Sequence, residues 1–206
     1  MNDLNENWKP EFGSIILWLA MDKHGKIALM INNCWGDIPK ILLSQANINN
    51  TINDLIDYLY EESLSHPNKI KNKNGEFELD LYGFWLNKNI KNHHEKYHEL
   101  TQTFLESKDK TACDLNFVIN KGLYIYQAIE GDQQGDDYPI GYHGHTQMGD
   151  YYRYLIPKIY LNIDEIPKEL WCGIAVSKDL DFSKDRIIFN TNMNVHFTDL
   201  LNKEIK

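Results

Sequence analysis

Apolar residues in this chain fall first into two unbroken runs, Ile15 to Met21 and Ile27 to Ile31. Between them lies Asp22-Lys23-His24-Gly25. Asp opening and Gly closing a short polar stretch suit a type I turn or a bulged hairpin loop. Runs without apolar/polar alternation belong to strands covered on both faces. The pattern therefore predicts a hairpin at the centre of a sheet. Gly36-Asp37-Ile38-Pro39 then breaks the second strand, and Pro39 opens a short helix, since its missing N–H is no loss in a first turn. Ile52, Leu55, Ile56 and Leu59 form an apolar stripe at helical spacing, with Asn50 or Thr51 as N-cap and His66-Pro67 as the stop.

Farther on, Glu76 to Leu81 alternates charged and apolar residues, as a half-exposed strand does. Phe84 to Lys108 reads as helix through Leu100, Phe104 and Leu105. Gly122 to Ile129 is a Tyr/Ile-rich strand. Tyr151 to Ile163 is extended, with Pro157 marking an edge or a strand break. Pro167 to Cys172 predicts a short helix, Arg186 to Phe189 a last short strand, and Thr198 to Lys206 a terminal helix. The expectation is an α+β fold spanning 1–206 as a single domain. Its central sheet is mainly antiparallel, opens with the N-terminal hairpin and is packed by several helices. A chain of this length buries about 70% of its unfolded surface, enough for a substantial core.

Charge narrows the partners. Thirty acidic residues against 21 basic ones give a formal net charge of −9. Such a surface repels phosphate backbones, which argues against nucleic acid, and attracts a basic protein. Cys34, Cys113 and Cys172 are widely spaced, with no Cys-x-x-Cys. Met1 to Pro10 is polar and lacks an apolar signal core, and no run is long enough to span a bilayer. These features predict free, mostly buried thiols in a reducing cytoplasm, with no membrane partner.

Catalytic chemistry is thinly signalled. His94-Glu95-Lys96-Tyr97-His98 fits His-Glu-x-x-His, in which two histidines on one helix face bind zinc and the Glu activates water. Its surroundings, Lys91-Asn92-His93 before and Glu99 after, are those of a solvated face. His143-Gly144-His145 is a second pair able to chelate. There is no Gly-x-Ser-x-Gly, P-loop or Gly-x-Gly-x-x-Gly. The expectation is no cofactor and no catalytic residue. A zinc-dependent hydrolase, or a metal-binding module on these histidines, is the alternative.

Glu130 to Asp150 is the most unusual stretch, about twenty residues without regular pattern, and loops of that length usually carry function. Tyrosines crowd in and beside it: Tyr124, Tyr126, Tyr138, Tyr142, Tyr151, Tyr152, Tyr154 and Tyr160. Tyr124, Tyr126, Tyr152 and Tyr154 read as sheet core, whereas Tyr138 and Tyr142 read as surface. With Asp132, Asp136, Asp137 and Asp150, these two tyrosines form the candidate partner-binding set, since Tyr offers a large apolar body with a polar tip.

Two segments carry a family resemblance. The first is Trp18-x-Ala20-x-Asp22-x-x-Gly25-x-Ile27-Ala28, followed by Gly36-x-Ile38-Pro39. The second holds Gly122-Leu123-Tyr124-x-Tyr126, Tyr152-Arg153-Tyr154-Leu155-Ile156-Pro157 and Asp164-Glu165-Ile166-Pro167. Together, over residues 12–39 and 122–170, they resemble small bacterial immunity-type proteins of polymorphic toxin systems. Cys34-Trp35, where that family is small and Gly-rich, and the long Glu130–Asp150 loop depart from its pattern. The resemblance implies a cytoplasmic, non-catalytic protein that binds and neutralises a cognate, basic toxin.

Overall fold

The computed structural model describes residues 3–73, 77–83, 95, 98–99, 101–102, 120–130 and 139–201. The predicted hairpin is present. β1 (Leu17–Met21) and β2 (Ile27–Ile31) run antiparallel, with Leu17 opposite Ile31 and Met21 opposite Ile27. Asp22 builds the turn. Its Oδ1 accepts the N–H groups of His24 and Lys26, both at 2.9 Å, and Gly25 closes the turn at φ 78°. The other oxygen accepts the N–H of Phe182 at 2.8 Å, so this carboxylate, 1% exposed, is bonded on both sides.

Six further strands complete the sheet: β3 (Phe77–Leu79), β4 (Tyr124–Ala128), β5 (Tyr151–Pro157), β6 (Ile174–Ser177), β7 (Ile187–Ile188) and β8 (Phe197–Leu200). Their order is β3-β5-β4-β2-β1-β6-β8, and β7 pairs with β5 beside β3. Antiparallel pairing predominates, but β2 with β4 and β1 with β6 are parallel, on either side of the hairpin. The fold is α+β. Pro157 ends β5, as its ring and missing N–H require.

The helices follow the sequence with two shifts. α1 (Lys40–Leu43) opens directly after Pro39. α2 (Ile48–Leu59) starts before Asn50, because Asn47 takes φ 64° and turns the chain so that Ile48 enters the core. It also stops well short of His66. Glu61 at φ 63° closes it in a Schellman arrangement, with the Glu61 N–H on the Tyr58 carbonyl and the Glu62 N–H on that of Asp57. Pro167 precedes a 3-10 turn, Lys168–Gly173, as predicted. The predicted terminal helix from Thr198 is overturned over its described residues. Phe197–Leu200 is strand β8, because pairing with β6 satisfies its backbone. β6 itself carries no alternation and was not anticipated.

Each face of the sheet holds an apolar layer. On one, Trp18, Met30, Tyr124, Tyr126 and Tyr151 pack against Trp8, Leu42, Phe182 and Phe197. On the other, Leu19, Leu29, Ile125 and Ile174 pack against Leu55, Tyr58 and Trp171. α2 serves both, with Ile48 and Ile52 in the first layer and Leu55 and Leu59 in the second. Side chains of this size contribute about 1.5–3 kcal/mol each when buried.

The stretch after β6 crosses the first face. The Leu180 carbonyl accepts the Lys23 N–H at 3.2 Å, and the Phe182 ring lies 6.0 Å from Tyr124 and 5.4 Å from Tyr126. The Tyr126 hydroxyl donates to the Asp185 carbonyl, and the chain then joins β5 as β7. No helix among the described residues is long and apolar enough to cross a membrane.

Candidate functional site: a tyrosine corner beside β5

The outer edge of β5 is shared. β7 covers Tyr151 and Tyr152, and β3 covers Leu155 to Pro157. Where the two meet, Asp80 sits between two guanidinium groups. Arg153 Nε donates to its Oδ2 at 2.7 Å, and Arg186 Nη2 to its Oδ1 at 2.7 Å. Arg153 also donates from Nη1 to the Phe182 carbonyl at 2.7 Å. This cluster, in which Arg153 is buried and Arg186 partly exposed, braces the corner.

Strand alternation sends Tyr151 and Arg153 to one face and Tyr152 and Tyr154 to the other. Tyr152 is buried over Leu81 and Ile129, and its hydroxyl donates to Gln127 Oε1 at 2.8 Å. Burial pushes that phenol well above its ordinary pKa, with Tyr154, Glu130 and Tyr82 adding to the rise. Around it stand half-buried tyrosines. Tyr82 meets Tyr154 edge-on at 6.0 Å and 69°, and Tyr142 packs against the same small core. The Tyr142 ring lies so close over Gly144 that an added Cβ would come within 2.5 Å of it. A paired bridge, Tyr82 N–H to the Ile140 carbonyl at 3.2 Å and the reverse at 3.0 Å, pins this part of the long loop to the exit of β3. Glu130 leaves β4 on the surface beside them, and burial by its surroundings nudges its carboxyl upward.

The expected residues separate on this geometry. Tyr142 lies at the corner. Asp150, expected on the partner-facing surface, is 3% exposed. Its oxygens accept the N–H groups of Gln147 and Asn190, both at 2.8 Å. Burial raises its pKa, and the two N–H groups oppose that rise. The carboxylate ties the loop to residue 190 instead of facing outward. Asp132, Asp136, Asp137 and Tyr138 lie outside the described residues. So do His94, Lys96 and Tyr97, while Glu95 and His98 are exposed and helical. His143 and His145 are exposed. Among the described residues, no three His, Cys, Asp or Glu side chains gather to hold a metal. Cys34 is half-buried but Cys172 is exposed, which corrects the expectation of mostly buried thiols.

One arrangement resembles a hydrolytic set without its connectivity. Ser177 Oγ donates to Asp179 Oδ1 at 2.6 Å, and His196 Nδ1 lies 2.7 Å from Oδ2. A nucleophilic serine needs its base on the hydroxyl. Here the carboxylate stands between hydroxyl and imidazole, and Ser177 is fully buried. Burial works against ionisation of Asp179, but bonds from Ser177 and His196 hold its pKa below the ordinary value. The set anchors the loop after β6.

Sequence reasoning missed Tyr82 and the Asp80–Arg153–Arg186 cluster, whose members come from three separate strands or strand ends. It assigned Tyr154 to the core, where only half of it lies. The one available signal was Arg153 amid tyrosines in an otherwise apolar strand. No protein-family model, curated protein or solved structure matches this chain.

Proposed function

We propose that this is a non-catalytic, immunity-type protein that binds and neutralises a cognate, basic toxin domain in the cytoplasm. The tyrosine corner carries the reading. Tyr82, Tyr142 and Tyr154 are half-buried and braced by packing, and Glu130 stands beside them. Tyrosines fixed in this way present broad amphipathic area with little rotamer freedom left to lose. The acidic net charge of the chain steers a basic surface toward them. The stretch 131–138, with Asp132, Asp136, Asp137 and Tyr138, joins Glu130 to this corner in the chain and adds three carboxylates to its vicinity in sequence. The resemblance of residues 12–39 and 122–170 to immunity-type proteins points the same way.

The test is capture from native cells followed by a growth assay. The tagged chain should retain one dominant basic protein at low salt and release it as salt rises. Co-expressing that protein alone should arrest growth, and adding the wild-type chain should restore it. A Tyr82→Ala/Tyr142→Ala variant that folds but fails to restore growth places the contact at the corner. Full protection by that variant moves the contact elsewhere, and a captured protein with no toxicity overturns the immunity reading.

A further inference from the structure

Away from the tyrosine corner, a groove of about 770 Å³ runs between the end of α2, residues 68–73 and the turns at 164–168. Lys69, Lys71, Lys73 and Lys168 line it, together with the carboxylates Asp164 and Glu165. We propose that this groove binds a small anion carrying several phosphate groups.

In a chain with a net charge of −9, lysines from two separate segments converge on one concavity. Some of that charge is already answered. Lys73 Nζ is gripped by both Glu165 oxygens at 2.6 and 2.7 Å, and Glu165 is itself fixed by the Asn162 N–H at 3.0 Å. Glu61 holds Lys69 at 2.6 Å and also the buried Lys121, which donates in addition to the Ile70 carbonyl at 3.1 Å. These pairs make rigid walls. Lys71 and Lys168 are different: both are exposed, and neither meets a carboxylate among the described residues. The Lys168 ammonium stands 5.4 Å from the Trp171 ring, which holds it at the rim.

Lys71 and Lys168 reach the groove from two segments, so a multiply charged anion between them is attracted by both at once. The chemistry of the donors selects the anion. Lys ammonium groups are compact point charges that bind phosphate oxygens without imposing one geometry, which suits a chain of phosphates. The volume is that of a small-molecule site, larger than a single phosphate needs.

Inorganic tripolyphosphate is the probe, with orthophosphate as reference, titrated calorimetrically into the full chain at about 0.15 M salt, where the Debye length is about 8 Å. Tripolyphosphate should bind at one site per chain and more tightly than orthophosphate. Lys71→Glu and Lys168→Glu should each weaken it about tenfold or more, in line with loss of one direct charge contact. Both residues are exposed, so thermal unfolding should confirm intact folds. Lys184→Glu, an exposed charge reversal outside the groove, should leave affinity within about twofold, because exposed charges beyond a Debye length are screened. No saturable binding, or equal weakening by all three variants, overturns the proposal. Neither outcome bears on the tyrosine corner, whose test is separate.

Discussion

Arg153 and Asp80 form a buried ion pair at 2.7 Å, with their side chains 6% and 10% exposed, and it joins strand β5 to the segment leaving β3. Desolvating two charges offsets much of their attraction, so such a pair adds little net stability. Removing one partner is another matter, because the other is left buried and uncompensated. Asp80→Ala should therefore destabilise by about 3–5 kcal/mol. Asp80→Leu with Arg153→Met should be markedly less harmful than Asp80→Ala alone. Urea unfolding of the variants checks both, and an Asp80→Ala cost below about 1 kcal/mol would mean the pair is effectively solvated.

Asp181 gives stability a pH dependence. The Ser183 hydroxyl, first, and then its backbone N–H and Lys26 hold this carboxyl far below its ordinary range, against the effect of burial. A group whose folded pKa is depressed contributes stability above its unfolded pKa, near 3.8, and loses that contribution as pH falls toward the folded value. Wild-type stability should fall as pH drops below about 4. In Asp181→Asn the acid limb should be shallower, while the neutral plateau is already lower. Thermal melts from pH 7 to pH 2 read both, and parallel acid limbs would remove Asp181 as the cause.

Gly122 has no room for a side chain. It sits at φ 83°, and a Cβ there would come within 2.3 Å of the Ile159 carbonyl oxygen. Backbone, not a flexible side chain, is in the way. Gly122→Ala should cost about 2 kcal/mol or more, from strain at a left-handed position plus the clash. For a chain of this size that lowers Tm by roughly 4–8 °C. Gly25→Ala provides the contrast, since it shares the left-handed φ but a Cβ there meets nothing within 4 Å.

If the tyrosine corner meets a basic toxin, two variants should fail in different ways. Tyr142→Ala should raise the dissociation rate, with a loss of about 2 kcal/mol if it is an anchor. Asp136→Lys with Asp137→Lys should slow association and flatten its salt dependence, because peripheral charge acts on encounter. Interferometry against the purified partner across ionic strengths separates the two. An unchanged association rate would remove the acidic stretch from the interface.

The elements legible in sequence were those whose signal is local. Asp22, Gly25 and two unbroken apolar runs specify the central hairpin, and Pro39 and Pro167 open a helix and a 3-10 turn at the expected places. Phe197 and Leu200 are three apart, a spacing that serves a helix face, and strand β8 exists only because β6 lies alongside. The start of α2 was displaced because Asn47 accepts a left-handed backbone at modest cost. The site was harder still. Asp150 looked like a surface carboxylate among loop residues, yet one of its donors is Asn190, forty positions on. Tyr82 and Tyr154 meet only because β3 ends beside β5.

The parallel pairing of β1 with β6 sets an order of events during synthesis. Leu19 lies opposite Ile174, so the apolar β1–β2 hairpin is translated well before the strand that closes its β1 side, 155 residues on. Contacts of such separation form late, after a large loop has been ordered. Until then the β1 edge is an open template for pairing with other chains, which makes nascent or truncated forms prone to aggregate. Shortened versions ending before Ile174 should therefore collect in the insoluble fraction, and the final sixth of the chain acts as the seal on its first hairpin.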